Sequence, residues 1–250
     1  MNRLVRAELA KLRSLRTAVL FAAFAVAYPV LALLPAISAP AADQATMTAD
    51  DFLRSLRGPA PLIAFTVLLV GVLLTAGEHR HGTIAASLLA VPRRGLLMAA
   101  KLGALAIAAA ATAAAAATVA LIGGTLFLRS VHVEVSPFGA KPLATAAAVI
   151  GVAVAYAWLG AGLGFLLRDQ TAAIVSAIVW STVVEGVLPV LFRAPGLRRW
   201  LPGDAAQAVV NVAERNPDLL PAAGGALLLS GVVLAVVAAG TAAFARRDVA

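Results

Sequence analysis

Six long stretches of uncharged, mostly apolar residues constrain what this 250-residue chain can fold into. Each stretch holds 20 or more residues, and only one of them contains a charged residue, Glu185. About 20 apolar residues suffice for one helix to cross the hydrocarbon core of a bilayer. The stretches also lack the short alternating pattern of transmembrane β-strands. We therefore predict six transmembrane helices, at 17–37, 59–77, 102–128, 143–167, 171–192 and 222–245.

The composition agrees with an integral membrane protein and excludes other classes. Hydrophobic residues make up 62% of the chain and charged residues 13%, against about 25% charged in an ordinary soluble domain. A soluble globule of this length would lack the polar groups to cover its surface, and a disordered chain would contain far fewer apolar residues. Cysteine is absent, which excludes disulfides and thiolate metal sites. We predict one all-α transmembrane domain over residues 1–250.

The distribution of Lys and Arg predicts how the chain is oriented. With the N-terminus inside, the inner segments contain 12 of the 20 basic residues, although they are shorter in total than the outer segments. Cytoplasmic loops of membrane proteins carry such an excess. Both termini are therefore expected in the cytoplasm, in a multi-pass protein of the plasma membrane. The positive charge follows from this topology, and we expect no nucleic-acid partner.

The first 16 residues predict a short amphipathic helix at the inner membrane interface. At 100° per residue the apolar side chains share one arc, and the arginines lie on the opposite side. The apolar residues are Leu4, Val5, Leu9, Leu12 and Leu15, and the arginines are Arg3, Arg6 and Arg13. Such a helix contacts membrane lipid. It is either a plain positively charged anchor or an elbow helix that helps to hold a cytosolic partner.

The loop after the second span is the most informative connecting segment. Charged residues at its two ends bracket an apolar middle, 84–91, which is too short to cross a bilayer. Thr83 is a suitable N-cap for a short helix there, and Pro92 would end that helix. The pattern fits a short exposed helix that docks on a partner. It fits a solvated loop equally well.

Three short patterns in the chain resemble a known family of membrane proteins. The loop pattern Glu78-x-x-x-Gly82-Thr83, followed by Pro92-x-Arg94 and then Lys101, is similar to the first inner loop of type-2 ABC transporter permeases. The N-terminal Glu8-x-x-Lys11-Leu-Arg-Ser and the C-terminal Phe244-Ala-Arg-Arg-Asp resemble the ends of the same family. With six spans and both ends inside, the resemblance covers the whole chain.

The resemblance implies a function and a set of partners. Permeases of this family form homo- or heterodimers of six-helix subunits, and each subunit pairs with a separate ATP-binding subunit. Their first inner loop presents a coupling helix to that ATPase. Carried over to this chain, the coupling element includes Glu78, Gly82, Thr83, Pro92, Arg94 and Lys101. Leu88 and Leu89 are the expected apolar anchors in the groove of the partner, with Glu78 and Arg94 as charges at its rim.

No motif for catalysis or metal binding occurs in the chain. The GxxxxGK[ST] phosphate-binding loop, HExxH and GxSxG are all missing from the sequence. We therefore expect no catalytic residue and no cofactor, with ATP and Mg²⁺ held by the partner ATPase. His79 and His81 lie next to Glu78, but a zinc site needs at least three protein ligands. We expect these histidines to be solvated near lipid headgroups and predict no metal site.

Glu185 is an isolated ionisable residue within the fifth span. It falls in the outer half of the membrane, about 21 Å from the start of that span. A charge in hydrocarbon is costly, so such a residue usually faces protein or water. One interpretation is a structural pair near the outer face, and the other is a polar point on an export path. Gly186 and Pro189 are expected to break the helix here.

Other features concern packing and the outer loops. Gly160 and Gly164 form a GxxxG pattern that serves either ordinary helix packing or a dedicated dimer face. The alanine-rich run 108–117 predicts a helix face that packs closely. In the outer segment 193–221, Asp204 is expected to cap a short helix over 205–213. A short amphipathic piece is expected near Asp51 in the first outer loop.

The sequence as a whole favours the membrane subunit of an ATP-driven exporter that works by alternating access. A secondary transporter or channel is the first alternative, although one intramembrane Glu is little support for ion coupling. A non-transporting membrane anchor is the second alternative.

Overall fold

The computed structural model describes residues 1–44, 46–80, 82–84, 87, 89, 91, 93–191, 195–212 and 217–246. Among the residues singled out by sequence, Leu88, Pro92 and His81 lie outside this part of the chain. The helices are α1 (Asn2–Ser14), α2 (Arg16–Ile37), α3 (Ala41–Gln44), α4 (Ala49–Arg57), α5 (Ala60–Arg80), α6 (Arg94–Ser130), α7 (Ala140–Leu167), α8 (Gln170–Val179), a π-helix (Trp180–Val187), α9 (Leu188–Leu191), α10 (Pro195–Arg198), α11 (Pro202–Val210) and α12 (Ala222–Arg246).

The structure confirms the all-α class and the six spans. Helices account for 85% of it, and the described residues form no strand. Six helical segments are long and apolar enough to cross a membrane: α2, α4 with α5, α6, α7, α8 through α9, and α12. The predicted amphipathic helix at the N-terminus is α1. The chain is a multi-pass membrane protein.

The third span begins earlier than predicted. Helix α6 starts at Arg94 instead of residue 102 and is 37 residues long. Its first two turns are held by Leu97, Met98 and Ala100, which are buried in the bundle. Lys101, whose charge suggested a boundary, lies within the helix with no exposed surface. A single charge is therefore a poor marker of a helix start when a buried partner can neutralise it.

Helix α7 lies at the centre of the bundle and packs on α5, α6 and α12. Its contact with α5 is close because glycines lie where the helices meet. A Cβ at Gly160 would overlap the carbonyl of Leu68, and one at Gly164 would overlap the Thr75 hydroxyl. The GxxxG pattern therefore serves packing within the subunit, which settles the choice between the two interpretations. Small residues at a helix interface allow this approach.

Alanines make the contact between α6 and α7 similarly close. Ala109, Ala113 and Ala116 on α6 share a buried cluster with Ala153 and Ala157 on α7. This confirms the closely packing face predicted for the alanine-rich run. In contrast, α2, α8 with its π-helix, and α12 lie at the periphery, where their large apolar side chains face outwards as expected against lipid.

The fifth span continues through the predicted break as a π-helix. The wider turn covers Trp180–Val187, and the chain stays helical through Pro189 to Leu191. Proline has no N–H to donate to the carbonyl four residues back, so the α-helical pattern cannot pass through this point unchanged. The i→i+5 pattern of a π-helix is an accommodation that often occurs at functional sites.

The connecting segments gather at the two ends of the bundle. One end holds α1, the described residues between 82 and 93, Arg168 and the end of α12. The other end holds α4, the segment 131–139 and α11. This grouping matches the predicted inner and outer segments, while the side of the membrane on which each end lies stays a prediction.

The outer connections differ from expectation in one place. Helix α4 is amphipathic as predicted, with a capping box between Thr48 and Asp51. The prediction that Asp204 caps the later outer helix is wrong. Helix α11 begins at Pro202, after Leu201, and Asp204 lies in its first turn. Proline suits the first helical position because its missing N–H would be unpaired there anyway.

The orientation is testable with two matched substitutions in this cysteine-free chain. Ser14 at the end of α1 and Ser136 in the opposite loop are both exposed. With the N-terminus inside, the Ser136→Cys variant should react with a membrane-impermeant maleimide in intact cells. The Ser14→Cys variant should react only after the membrane is made permeable. Labelling of both variants in intact cells would contradict the topology.

Candidate functional site

Four charged side chains meet at the end of the bundle that holds α1. The Lys101 ammonium lies 2.8 Å from Oε2 of Glu8 and 2.7 Å from Oε1 of Glu78. The Lys11 ammonium lies 2.9 Å from Oε1 of Glu8 and 2.8 Å from Oε1 of Glu78. Each lysine therefore bridges both glutamates. We call these four residues the inner ion cluster.

The inner ion cluster joins three helices that are distant in sequence. Glu8 and Lys11 lie one turn apart on α1, Glu78 lies in the last turn of α5, and Lys101 lies near the start of α6. Glu8, Glu78 and Lys101 are at most 8% exposed. Two carboxylates and two ammonium groups leave the cluster neutral, which makes its burial tolerable.

Lys11 is the most exposed member of the cluster, with 41% of its side chain accessible. Burial lowers the pKa of Lys11, but hydrogen bonds and the charges of Glu78 and Glu8 outweigh this, so the pKa lies above 10.5. A raised lysine pKa contributes stability that is fully present below the unfolded value. That contribution is lost only as the pH rises through the folded value. Lys11 therefore stays charged and paired near neutral pH.

The placement of Glu78 differs from the sequence-based expectation. Glu78 was expected at an exposed rim of a docking element, and this is wrong, because it is 8% exposed and paired with two lysines. The contact of Glu8 with Lys101 was not foreseen. The sequence did indicate that Glu8 is buried, because Glu8 falls within the apolar arc of α1. The side chains in that arc are buried when the apolar face of the helix packs on its neighbours.

The segment after α5 is tied to the inner ion cluster. Lys11 donates a hydrogen bond of 3.2 Å to the hydroxyl of Ser87. The amide of Ser87 donates to the carbonyl of Thr83, and the amide of Val91 donates to the carbonyl of Ser87, both with helical spacing. Gly82 has φ of +67°, which an L side chain rarely adopts, so the turn into this segment needs glycine.

Two apolar side chains of this segment point in different directions. Ile84 is 5% exposed and belongs to the core, whereas Leu89 is 85% exposed. An exposed leucine beyond the last turn of a span, next to a buried charge cluster, is available to a partner. Whether Leu89 binds an ATPase stays a prediction.

The end of α12 is held by a second group of side chains, centred on Phe244. The guanidinium of Arg94 donates to the carbonyl of Phe244 at 2.8 Å and lies 5.6 Å from its ring centre. Arg168 donates to the carbonyl of Ala243 at 3.1 Å and also faces the ring. Arg94, which was expected as a charge at the rim, therefore also fixes the start of α6 to the end of α12. Whether it contacts a partner stays a prediction.

His79 belongs to the same group. Its ring meets Phe244 edge-on, with 6.1 Å between the ring centres. Nδ1 lies 3.2 Å from the carbonyl of Thr75 in the same helix. The expectation of a solvated histidine near lipid headgroups is wrong for His79, because an aromatic contact and burial hold it against the protein.

A cavity of about 1120 Å³ opens at the opposite end of the bundle. Helices α5, α7 and α11 and the π-helix form its walls. Apolar residues such as Phe65 and Val152 line it together with polar residues such as Glu185, Gln207 and Arg199. Glu185, which the sequence singled out, therefore lines this cavity.

Glu185 joins the π-helix to the first turn of α11. Its Oε1 accepts hydrogen bonds from the indole of Trp180 at 2.9 Å and from the amide of Gly203 at 3.0 Å. A Cβ at Gly203 would overlap Oε2 of Glu185, so a larger residue there would displace the carboxylate. A carboxylate at a helix N-terminus also interacts favourably with the helix dipole.

Comparison with known proteins gives no independent assignment. No protein-family model matches the chain, and no curated protein matches it.

Removal of Lys101 tests the inner ion cluster. Lys101→Met leaves two buried carboxylates with one partly exposed lysine, and we expect the free energy of unfolding to fall by about 3 to 5 kcal/mol. Lys11→Met is the matched control. It should cost about 1 kcal/mol, because Lys11 is far more exposed. Titration of both purified variants with denaturing detergent measures the difference, and equal losses would contradict the arrangement.

The contact between Glu185 and Gly203 is testable by a double-mutant cycle. Glu185→Gln and Gly203→Ala should each lower the free energy of unfolding by about 1.5 kcal/mol, since each disturbs hydrogen bonds to a carboxylate. The double variant should lose little more free energy of unfolding than either single variant. Gly196→Ala is the control, because a Cβ there meets open space. Additive losses would show that the two residues do not act together.

Proposed function

We propose that the chain is the membrane-spanning permease subunit of an ATP-driven exporter of the type-2 ABC class. It works as a homo- or heterodimer, and each subunit pairs with a separate ATP-binding subunit. The observation that carries this proposal is the inner ion cluster. In this cluster, four of the residues by which the chain resembles that family are in contact. They are Glu8 and Lys11 near the N-terminus, Glu78 before the loop, and Lys101 after it.

The cluster supports a role for the segment after α5 in coupling. This segment is tied to α1 through Ser87 and Lys11 and follows the last turn of α5, which contains Glu78. A force applied to Leu89 would therefore act on α1, α5 and α6 together instead of bending a free loop. A protein interior is densely packed and resists compression, so such a unit moves as a body.

The cavity at the opposite end supports a path for a transported molecule. Its lining combines apolar and polar side chains, as expected where an amphiphilic or polar molecule leaves a membrane protein. Glu185 lies at its wall on a π-helix. In the proposed cycle, closure of the ATPase dimer moves the inner end of each subunit, and the outer cavities open to release the cargo.

Substitution of Leu89 tests the proposed contact with the ATPase. Leu89→Asp should weaken co-purification of the ATP-binding subunit about 30-fold, because an unpaired carboxylate would be buried in the contact. Leu89→Ala should weaken it less. Asn2→Asp is the control, since it adds a carboxylate at the same end of the bundle, in the first turn of α1, where a negative charge is tolerated.

The same preparation decides between the proposal and its rivals. Full binding and full ATP-dependent transport by the Leu89→Asp variant would remove this segment from the coupling role. If the unmodified protein brings down no ATPase in mild detergent and its transport collapses with the ion gradient, a secondary transporter is correct. If neither ATP nor an ion gradient drives transport in proteoliposomes, the chain is a membrane anchor.

A further inference from the structure

A second cavity, of about 250 Å³, lies between α1, α2, α5 and α6. It is distinct from the outer cavity and close to the inner ion cluster, since Leu9 and Leu12 of α1 line one side. Along α6 it extends from Leu105 to Thr112, which corresponds to about 10 Å. We call this space the α1–α2 crevice.

The lining of the crevice is mostly apolar and contains one arginine and two threonines. Ala22, Val67 and Ala108 are typical of its walls. The hydroxyl of Thr66, which also lies on the wall, donates to the carbonyl of Leu62 and is satisfied within its own helix. Thr112 of α6 also lies on the wall. The charged residue of the lining is Arg13, on α1.

The crevice is open to the side. Val19 and Ile107, which line it, are 48% and 51% exposed. Both residues lie on membrane-spanning helices, so the opening faces hydrocarbon. A mostly apolar crevice that opens to the hydrocarbon and has a guanidinium in its lining matches an acyl chain attached to a negatively charged headgroup.

The charge of the neighbouring surface points to the same ligand. Arg3, Arg6, Arg13 and Arg16 are all exposed. The one acidic residue of α1, Glu8, is 3% exposed and is neutralised by two lysines. The inner ion cluster therefore removes the only negative charge from this surface and leaves it purely basic. Basic residues near a membrane attract anionic lipids, each contributing about 1 kcal/mol.

We propose that the α1–α2 crevice is a binding site for one anionic phospholipid of the leaflet at the α1 end. One acyl chain occupies the crevice, and the phosphate contacts the guanidinium of Arg13. Because the same helix α1 carries Glu8 and Lys11, the bound lipid holds α1 in the position that the inner ion cluster requires. This site does not depend on an ATPase partner, so it can be tested independently of the proposed transport function.

The direct test is lipid binding by the purified full-length protein, measured by native mass spectrometry. The probes are dioleoyl phosphatidylglycerol and dioleoyl phosphatidylcholine, which share their acyl chains and differ in headgroup charge. We expect one phosphatidylglycerol molecule to bind more tightly than phosphatidylcholine. Arg13→Gln should weaken the binding of phosphatidylglycerol about fivefold and leave the binding of phosphatidylcholine unchanged. Arg3→Gln, ten residues away on the same helix, is the control and should have a smaller effect.

A pair of adjacent substitutions tests the crevice itself. Ala22→Phe places an aromatic ring in the crevice and should abolish the single tight site. Ala23→Phe adds the same ring to the exposed surface of α2, outside the crevice, and should keep the site. Retained binding in Ala22→Phe, or equal loss in both variants, would overturn the proposal. Equal binding of the two lipids would overturn it as well. Loss of the lipid when two subunits associate would show that a second copy of the chain covers the crevice, and this too would overturn it.

Discussion

The buried cluster of two glutamates and two lysines is the interaction on which the end of the bundle that holds α1 depends. Taking a charge out of water is costly, and only the mutual pairing of Glu8, Lys11, Glu78 and Lys101 offsets that cost. Each member therefore requires the others to stay in place. Since they come from α1, α5 and α6, these three helices cannot separate at this end without leaving a charge unpaired. The cluster specifies how the helices are arranged more than it adds to their stability.

The two ends of the bundle differ in how they are held, and this difference suits a protein that changes shape. The end that holds α1 is closed by the inner ion cluster and by Phe244, which Arg94 and Arg168 hold in place. At the opposite end, Glu185 joins the π-helix to α11 beside a large open cavity. Between them, α5 and α7 pack through Gly160 and Gly164 with no room for a side chain. In the proposed exporter, this stiff pair carries a displacement from the inner end to the outer cavity.

The six spans follow from the sequence because a bilayer requires a minimum length of apolar helix, and that length is visible in the residues themselves. The sites do not follow in the same way. Lys101 suggested a helix boundary, although a partner 93 positions away in the chain allows it to be buried within α6. Glu185 was recognised as unusual, but its contact with Gly203 depends on where α11 lies. The resemblance to ABC permeases selected residues that the structure brings together, although it gave no reason for their proximity.

The central claim is that the segment after α5 contacts an ATP-binding subunit, and cross-linking in the membrane tests it most directly. A photoreactive benzoylphenylalanine at position 89 replaces a leucine that is 85% exposed, so the substitution should leave the fold intact. After illumination of intact membranes, the account predicts a cross-linked product that contains an ATP-binding protein, with a yield that changes when ATP is added. The same residue at position 136, at the opposite end, should give no such product. Cross-links from position 89 to lipid alone would contradict the account.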